Sequence, residues 1–210
     1  MPIQIQRTSF EAHYPVIVMD RDLNGIDRLN ADLATTILDL ETRFRDTAEN
    51  AARDLTIATE GGYQTSGRSN LLNHSNECIG TFKQSILLPA IKEYLREVFG
   101  ASGAALRYQP FAWANILRAG DWQRPHCHAS AGNMASGVYY VNVPPETPPA
   151  GNIDFLNPVP ISVHHGYSPC RRIQPTAGKL LLFPPYHLHC VHPVTCREPR
   201  IVIAFDVLCR

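Results

Sequence analysis

Three histidines and one arginine in the second half of this chain have types and spacing that could do metal chemistry. His126 and His128 stand one residue apart in Arg124-Pro-His-Cys-His-Ala. His189 follows 61 residues after His128 (189 − 128 = 61), inside Phe183-Pro-Pro-Tyr-His-Leu-His-Cys-Val-His-Pro. Arg200 comes 11 residues later (200 − 189 = 11), at the head of a β-branched run. Two imidazoles close together, a third far along the chain and a basic residue beyond it suit an open iron site. Such a site keeps metal positions free for a cosubstrate and oxygen. Any one of the nine histidines, taken alone, is a surface or core residue, and His13, His74, His164, His165, His187 and His192 are read that way.

The elements that must position these groups follow from hydrophobic period. Ile26, Leu29, Leu33, Ile37, Leu40 and Phe44 repeat at steps of three and four, which predicts an amphipathic helix, with Asn24 as its cap. A second helix is predicted over about 76–99, with Ile79, Phe82, Ile86, Ile91, Leu95 and Val98 inward, Gly100 at its end and Pro89 as a kink. Between them, Glu60-Gly-Gly-Tyr-Gln-Thr-Ser-Gly-Arg-Ser is loop chemistry. From Leu106 onward, short β-branched and aromatic runs alternate with Pro/Gly turns. The predicted strands are 106–117, 136–143, 152–155, 179–183 and 200–208, an all-β half built as a sandwich or barrel. Adjacent strands lie under about 5 Å apart, so one barrel could gather all three histidines.

Composition narrows the remainder. A chain of 210 residues with 19 acidic and 19 basic side chains carries no basic stripe, which argues against nucleic acid. No run is long and apolar enough for a membrane span, and the first residues do not read as a signal peptide, so a cytoplasmic location is expected. The six cysteines lack CxxC spacing and read as free thiols. Strand alternation turns Cys127 and Cys190 away from a barrel that receives His126, His128 and His189.

The ordered set of pieces resembles the 2-oxoglutarate and iron(II)-dependent dioxygenases, and among them a bacterial and phage group of 2OG-Fe(II) oxygenases. The pieces are Trp113-Ala-Asn115, His126-Cys-His128, Ser136-Gly-Val-Tyr-Tyr140, Gly151-Asn-Ile-Asp-Phe155, Gly178-Lys-Leu-Leu-Leu-Phe-Pro184, His189-Cys-Val-His-Pro193 and Arg200-Ile-Val-Ile-Ala-Phe205, preceded by Gly61-Gly-Tyr-Gln-Thr65. The resemblance implies a mainly β protein: a double-stranded β-helix (a jelly-roll or cupin-like barrel) with N-terminal helices packed outside. It implies a single domain over 1–210, with 1–104 as helical support and 105–210 as the barrel core. It also implies Fe(II), 2-oxoglutarate and O2, with His126, His128 and His189 as metal ligands and Arg200 as the anchor of the cosubstrate's far carboxylate.

Two departures from the family's pattern stand out. His128 occupies a position where most of the wider superfamily has Asp or Glu. Val202 stands where many members place a hydroxyl beside the arginine, so the second donor to the carboxylate is sought among Asn115, Ser136 and Tyr140. The implied reaction is hydroxylation of an unactivated C–H in an amino acid, a peptide or a small natural product, with succinate and CO2 as coproducts. Two alternatives stay open: a three-histidine iron dioxygenase that uses no 2-oxoglutarate, and a non-catalytic metal-binding barrel. The partners expected are a small-molecule or peptidyl substrate, with a homodimer as a compatible assembly. The Pro- and His-rich stretch 157–176 is read as a surface loop, or as a lid with Arg171 and Arg172 meeting an acidic substrate.

Overall fold

The computed structural model describes residues 16–45, 58–65 and 69–210. The N-terminal octapeptide, His13 and residues 66–68 of the glycine-containing loop lie outside these. Eleven strands form two antiparallel sheets that face each other as a double-stranded β-helix. In chain order they are β1 (Met19–Asp22), β2 (Thr59–Glu60), β3 (Tyr63–Gln64), β4 (Tyr108–Leu117), β5 (Trp122–His126), β6 (Asn133–Asn142), β7 (Ile153–Leu156), β8 (Cys170–Ile173), β9 (Lys179–Phe183), β10 (His189–Val191) and β11 (Arg200–Cys209). The larger sheet runs β1-β9-β6-β11-β4-β3 and the smaller β2-β5-β10-β7-β8. The first half of the chain is therefore more than helical support, because β1 and β3 extend the larger sheet and β2 extends the smaller.

Period-2 alternation sorts the side chains into two cores. Leu117, Val138, Tyr140, Phe155, Leu181, Phe183 and Val202 fill the space between the sheets. Ala112, Ala114, Ile116, Tyr139, Leu180, Leu182, Ile203 and Phe205 point the other way and pack under the helices. Strand β9 is buried on both faces, which is why Lys-Leu-Leu-Leu-Phe reads as a continuous apolar run. Tyr139 and Tyr140 divide as alternation requires. Tyr139 donates outward to Asn30 Oδ1 at 2.7 Å, while Tyr140 is wholly enclosed between the sheets.

The helices are held to the larger sheet by their apolar stripes. Helix α1 (Asp27–Phe44) buries Leu33, Ile37 and Leu40, and Phe44 at the end of the stripe is half exposed. Asn24 does not cap it: the cap position is Ile26, with no side-chain bond. Gly25, at φ 70, turns the chain just before it, and Asp27 places a negative charge in the first turn, against the positive end of the helix. The second helical run starts as expected, with Asn76 accepting from Cys78 N at 2.9 Å. It comprises α2 (Glu77–Thr81), a π-helical turn (Phe82–Leu87) and α3 (Leu88–Phe99). The π turn comes just before Pro89. Proline has no N–H for the ordinary i→i−4 bond, and one wider turn absorbs the defect.

Two crossings carry the chain from sheet to sheet beside the site. Gly61 and Gly62, at φ 73 and φ 57, take it from β2 to β3, and residues 118–121 take it from β4 to β5. The two corners interlock. A Cβ on Gly61 would lie 2.0 Å from Asp121 Oδ1, and one on Gly62 would lie 2.7 Å from the Ile116 carbonyl. Glu41 of α1 clamps the second corner through a two-point pair with Arg118, both contacts 2.7 Å.

Candidate metal centre

Register alone brings two of the histidines together. His189 on β10 is the direct cross-strand partner of His126 on β5, and the ring centroids are 4.3 Å apart. The pairing between these strands is irregular beyond that rung, at Arg124 and Pro125, where proline cannot donate to the ladder. His128 lies two residues past His126, beyond the strand's end, and its backbone N–H donates to the Pro185 carbonyl at 2.7 Å. Its ring stacks on Trp113, centroids 5.7 Å apart, and lies 5.4 Å from that of His189. One ligand atom from each of the three residues lies within 4.8 Å of the others, so the cluster could hold a metal ion.

The rings are oriented from behind. His126 Nδ1 faces the Arg124 carbonyl at 2.8 Å, and His189 Nδ1 faces the His187 carbonyl at 2.9 Å. His128 Nδ1 faces Asp206 Oδ1 at 3.4 Å. In His126 and His189 the Nδ1 is thus turned to a carbonyl acceptor, which fixes the tautomer and presents Nε2 as the ligating atom, while Asp206 stands behind His128 as a charge contact rather than a hydrogen bond. Burial keeps the His126 and His189 rings neutral. Desolvation holds His126 down at about 4, and desolvation with the neighbouring His126 ring holds His189 down at about 3. A neutral imidazole has its lone pair available to a metal at pH 7.

This burial makes the metal-free protein acid-sensitive in a definite window. Below about pH 6.5 the unfolded chain takes up protons at these two positions, while the folded chain resists until about 4 and about 3. The unfolded state then binds more protons, so stability falls as pH drops through that window. The melting temperature of metal-free protein should decline over it, with a shallower slope in the His126→Asn/His189→Asn double variant. An identical slope in that variant would assign the acid sensitivity to other groups.

Arg200 opens β11 at the far side of the barrel. It is only 2% exposed, and among the described residues it forms no ion pair; its Nε has no hydrogen-bond partner. The guanidinium carbon lies 5.2 Å above the Tyr140 ring, and the Tyr140 hydroxyl has no hydrogen-bond partner either. Burial raises the Tyr140 phenol, with the Arg200 charge acting against that shift. Gly151, at φ 66, turns the chain beside the arginine, and a Cβ there would only touch Arg200 Cδ at 3.7 Å and Glu146 Cγ at 3.9 Å. Asn115 faces inward from β4, opposite Val202, and its buried Oδ1 is unpartnered. Tyr140 is the partner of the same Val202 on the other side, next to a register shift between β6 and β11. Arg200, Tyr140 and Asn115 thus converge.

Ser136 does not join them. It lies inward on β6 as expected, but opposite Asp206, and its hydroxyl donates to Asp206 Oδ1 at 2.6 Å. Arg172 is likewise committed elsewhere, to Asp154 through two 2.7 Å contacts, with His192 on the same carboxylate at 2.8 Å. The stretch 157–176 holds a 3-10 turn (Pro160–His165) and β8, more structure than a surface loop. Arg171 remains at the rim of a cleft of about 360 Å³ walled by Val16, Val18, Phe155, Ile173 and His187. All six cysteines are free, and Cys127 is exposed.

Sequence reasoning missed Asp206 and His187. Asp206 is the lone acid in Arg-Ile-Val-Ile-Ala-Phe-Asp-Val and shares the face of Arg200, which is a usable signal. His187 is buried against Phe155, ring centroids 4.7 Å apart, and nothing in its spacing distinguishes it.

The fold is thus a double-stranded β-helix that gathers three imidazoles, with a buried arginine further along the same interior. Residues 111–206 match the family model described as "Putative 2OG-Fe(II) oxygenase". Over these residues the barrel is similar to the 2OG-Fe(II) oxygenases. Solved structures agree on the fold. A prolyl-4-hydroxylase from Pseudomonas putida matches with a TM-score of 0.63 at 16% identity, over 92% of each chain. HygX from Streptomyces hygroscopicus, with nickel and 2-oxoglutarate bound, matches at 0.58 and 9% identity, over 92% of this chain and 82% of that one. The viral collagen prolyl hydroxylase of Paramecium Bursaria Chlorella virus-1, a 2-oxoglutarate complex, matches at 0.55 and 14% identity, over 91% and 94%. No curated protein matches the sequence significantly. No helix among the described residues is long and apolar enough to cross a membrane.

Proposed function

We propose that this enzyme binds iron(II) through His126, His128 and His189, anchors 2-oxoglutarate on Arg200, and hydroxylates an unactivated C–H of an amino acid, a peptide or a small natural product. Succinate and CO2 are the coproducts. One observation carries the reading: Arg200 is a buried guanidinium with no carboxylate in ion-pair contact among the described residues, the nearby Glu146 being bound instead to Thr195 and Cys196. A buried unpaired charge costs several kcal/mol, and a fold keeps one where a ligand brings the opposite charge. The fork geometry of arginine suits a carboxylate at two points. The Tyr140 hydroxyl, buried and unpartnered, can donate to that carboxylate, and Asn115, paired across the same Val202, can do so only through its amide N–H. These residues fit a small dianion whose other end reaches the histidines.

Iron, when bound, supplies oxygen activation coupled to decarboxylation of the cosubstrate. The chain supplies three neutral donors on one side of the metal, a fixed carboxylate socket and a water-poor interior walled by Leu181, Phe183 and Val202. The cleft edged by Phe155 and His187 adjoins His189, since Phe155 is its cross-strand partner. Its apolar walls, with Arg171 and Asp20 both on the lining, favour a substrate with an apolar body and polar groups of either charge. A cytoplasmic location and a small-molecule or peptidyl substrate, with neither lipid nor nucleic acid as partner, are part of this proposal.

Anaerobic titration of iron-loaded protein with 2-oxoglutarate tests the reading. A visible charge-transfer band should grow and saturate at about one equivalent per chain. Iron binding without any such band would favour a three-histidine dioxygenase that uses no 2-oxoglutarate. Tight zinc binding without turnover would favour a non-catalytic barrel.

A further inference from the structure

We infer that Asp206 is a positioning residue for the metal, returning from behind the His128 ring the negative charge that a histidine in place of a ligand carboxylate removes. The inference rests on the three-histidine reading above. Three neutral imidazoles leave the full double charge of a divalent ion uncompensated by the chain. His126 and His189 rest their Nδ1 atoms on backbone carbonyls, Arg124 and His187. His128 alone rests on a carboxylate, 3.4 Å away. A charged acceptor behind an imidazole fixes the ring and raises its basicity toward the metal.

The carboxylate is itself held in place. Ser136 Oγ donates to Asp206 Oδ1 at 2.6 Å, and Asn133 Nδ2 donates to Ser136 Oγ at 3.2 Å. The same Asn133 amide donates to the His128 carbonyl at 3.0 Å, so one side chain ties the backbone of the ligand to the group behind its ring. Trp113 covers the His128 ring on its open side. Among the described residues no lysine or arginine pairs with Asp206, so its charge is not already neutralised. It also sits on the larger sheet, whereas His126 and His189 belong to the smaller, so the contact joins the two walls at the metal.

The test is a cycle of four proteins: the parent, Asp206→Asn, His128→Asp and the double variant. Asparagine keeps the shape and an acceptor oxygen but removes the charge. Fe(II) affinity is read anaerobically by competition with a coloured chelator, and thermal melting of the metal-free proteins reports folding. In the parent background, Asp206→Asn should weaken Fe(II) roughly 10- to 100-fold. In the His128→Asp background a carboxylate is again a ligand, and the same substitution should cost nothing or improve affinity by relieving like charge. An equal loss in both backgrounds would reduce Asp206 to a fold anchor and overturn the inference. So would parent-like affinity in Asp206→Asn. Parent protein that takes up no iron would overturn the triad and this inference together, a distinct result from either of those.

Discussion

His189→Ala protein should fold and carry almost no iron. His189 is the innermost of the three rings, 4% exposed, with the His126 ring 4.3 Å away and the His128 ring parallel to it at 5.4 Å. All three donors are neutral, so no ligand carboxylate holds the ion by charge when one imidazole is lost. Two imidazoles, His126 at the end of a strand and His128 just beyond it, remain as a weak pair. Elemental analysis after anaerobic iron loading and desalting should give about one metal per chain in the parent and a small fraction of that in the variant. Unchanged metal content would sink the triad.

Arg200→Ala should leave iron content alone and remove 2-oxoglutarate affinity. Arg200 is not among the three residues that gather at the metal. Breaking a desolvated charged pair by deleting one partner costs on the order of 3–5 kcal/mol. At about 1.4 kcal/mol per tenfold, the dissociation constant should rise roughly a hundredfold or more. Arg200→Lys should fall between, keeping the charge and losing the fork. Calorimetry on the iron-loaded, oxygen-free protein reads this directly. Unaltered affinity in Arg200→Ala would place the carboxylate anchor elsewhere. The two experiments separate the functions of the two walls, since one abolishes the metal and the other spares it.

Much of the barrel was legible because long strands write their alternation into the chain. β4, β6, β7, β9 and β11 were each readable from β-branched and aromatic runs, with ends off by three residues or fewer. β1, β2, β3, β5 and β8 were not read as strands: four of them have only two to four residues, too short for a period to decide, and β5 carries Pro125, while β10 was read only from His189 at its head. The histidine cluster could be foreseen because two of its members are neighbours in sequence and the third heads a strand. Ser136 shows where that reasoning stops. Parity told which face it occupies, and it is inward, but parity carries no information on height. Register with Asp206 set its height and took it away from Arg200. Asn24 failed as a cap for a related reason. The residue type suits the role, but Gly25 starts the turn that decides where the helix begins.

Strand β11 has a consequence of another kind. Arg200 and Asp206 lie on it six residues apart (206 − 200 = 6) and on one face, about 20 Å at roughly 3.3 Å per residue. Its pairing with β4 runs without a shift from Arg200↔Leu117 to Cys209↔Tyr108. One unbroken rod thus spaces the anion socket from the group behind His128. A slip by one residue would turn both side chains to the outer core, and a slip by two would leave their spacing unchanged but carry both about 6.6 Å along the histidines of the other sheet. The length of keto acid that fits is therefore quantised by the backbone. Selection for a slightly longer or shorter cosubstrate cannot act through register and must act through the reach of the side chain at position 200.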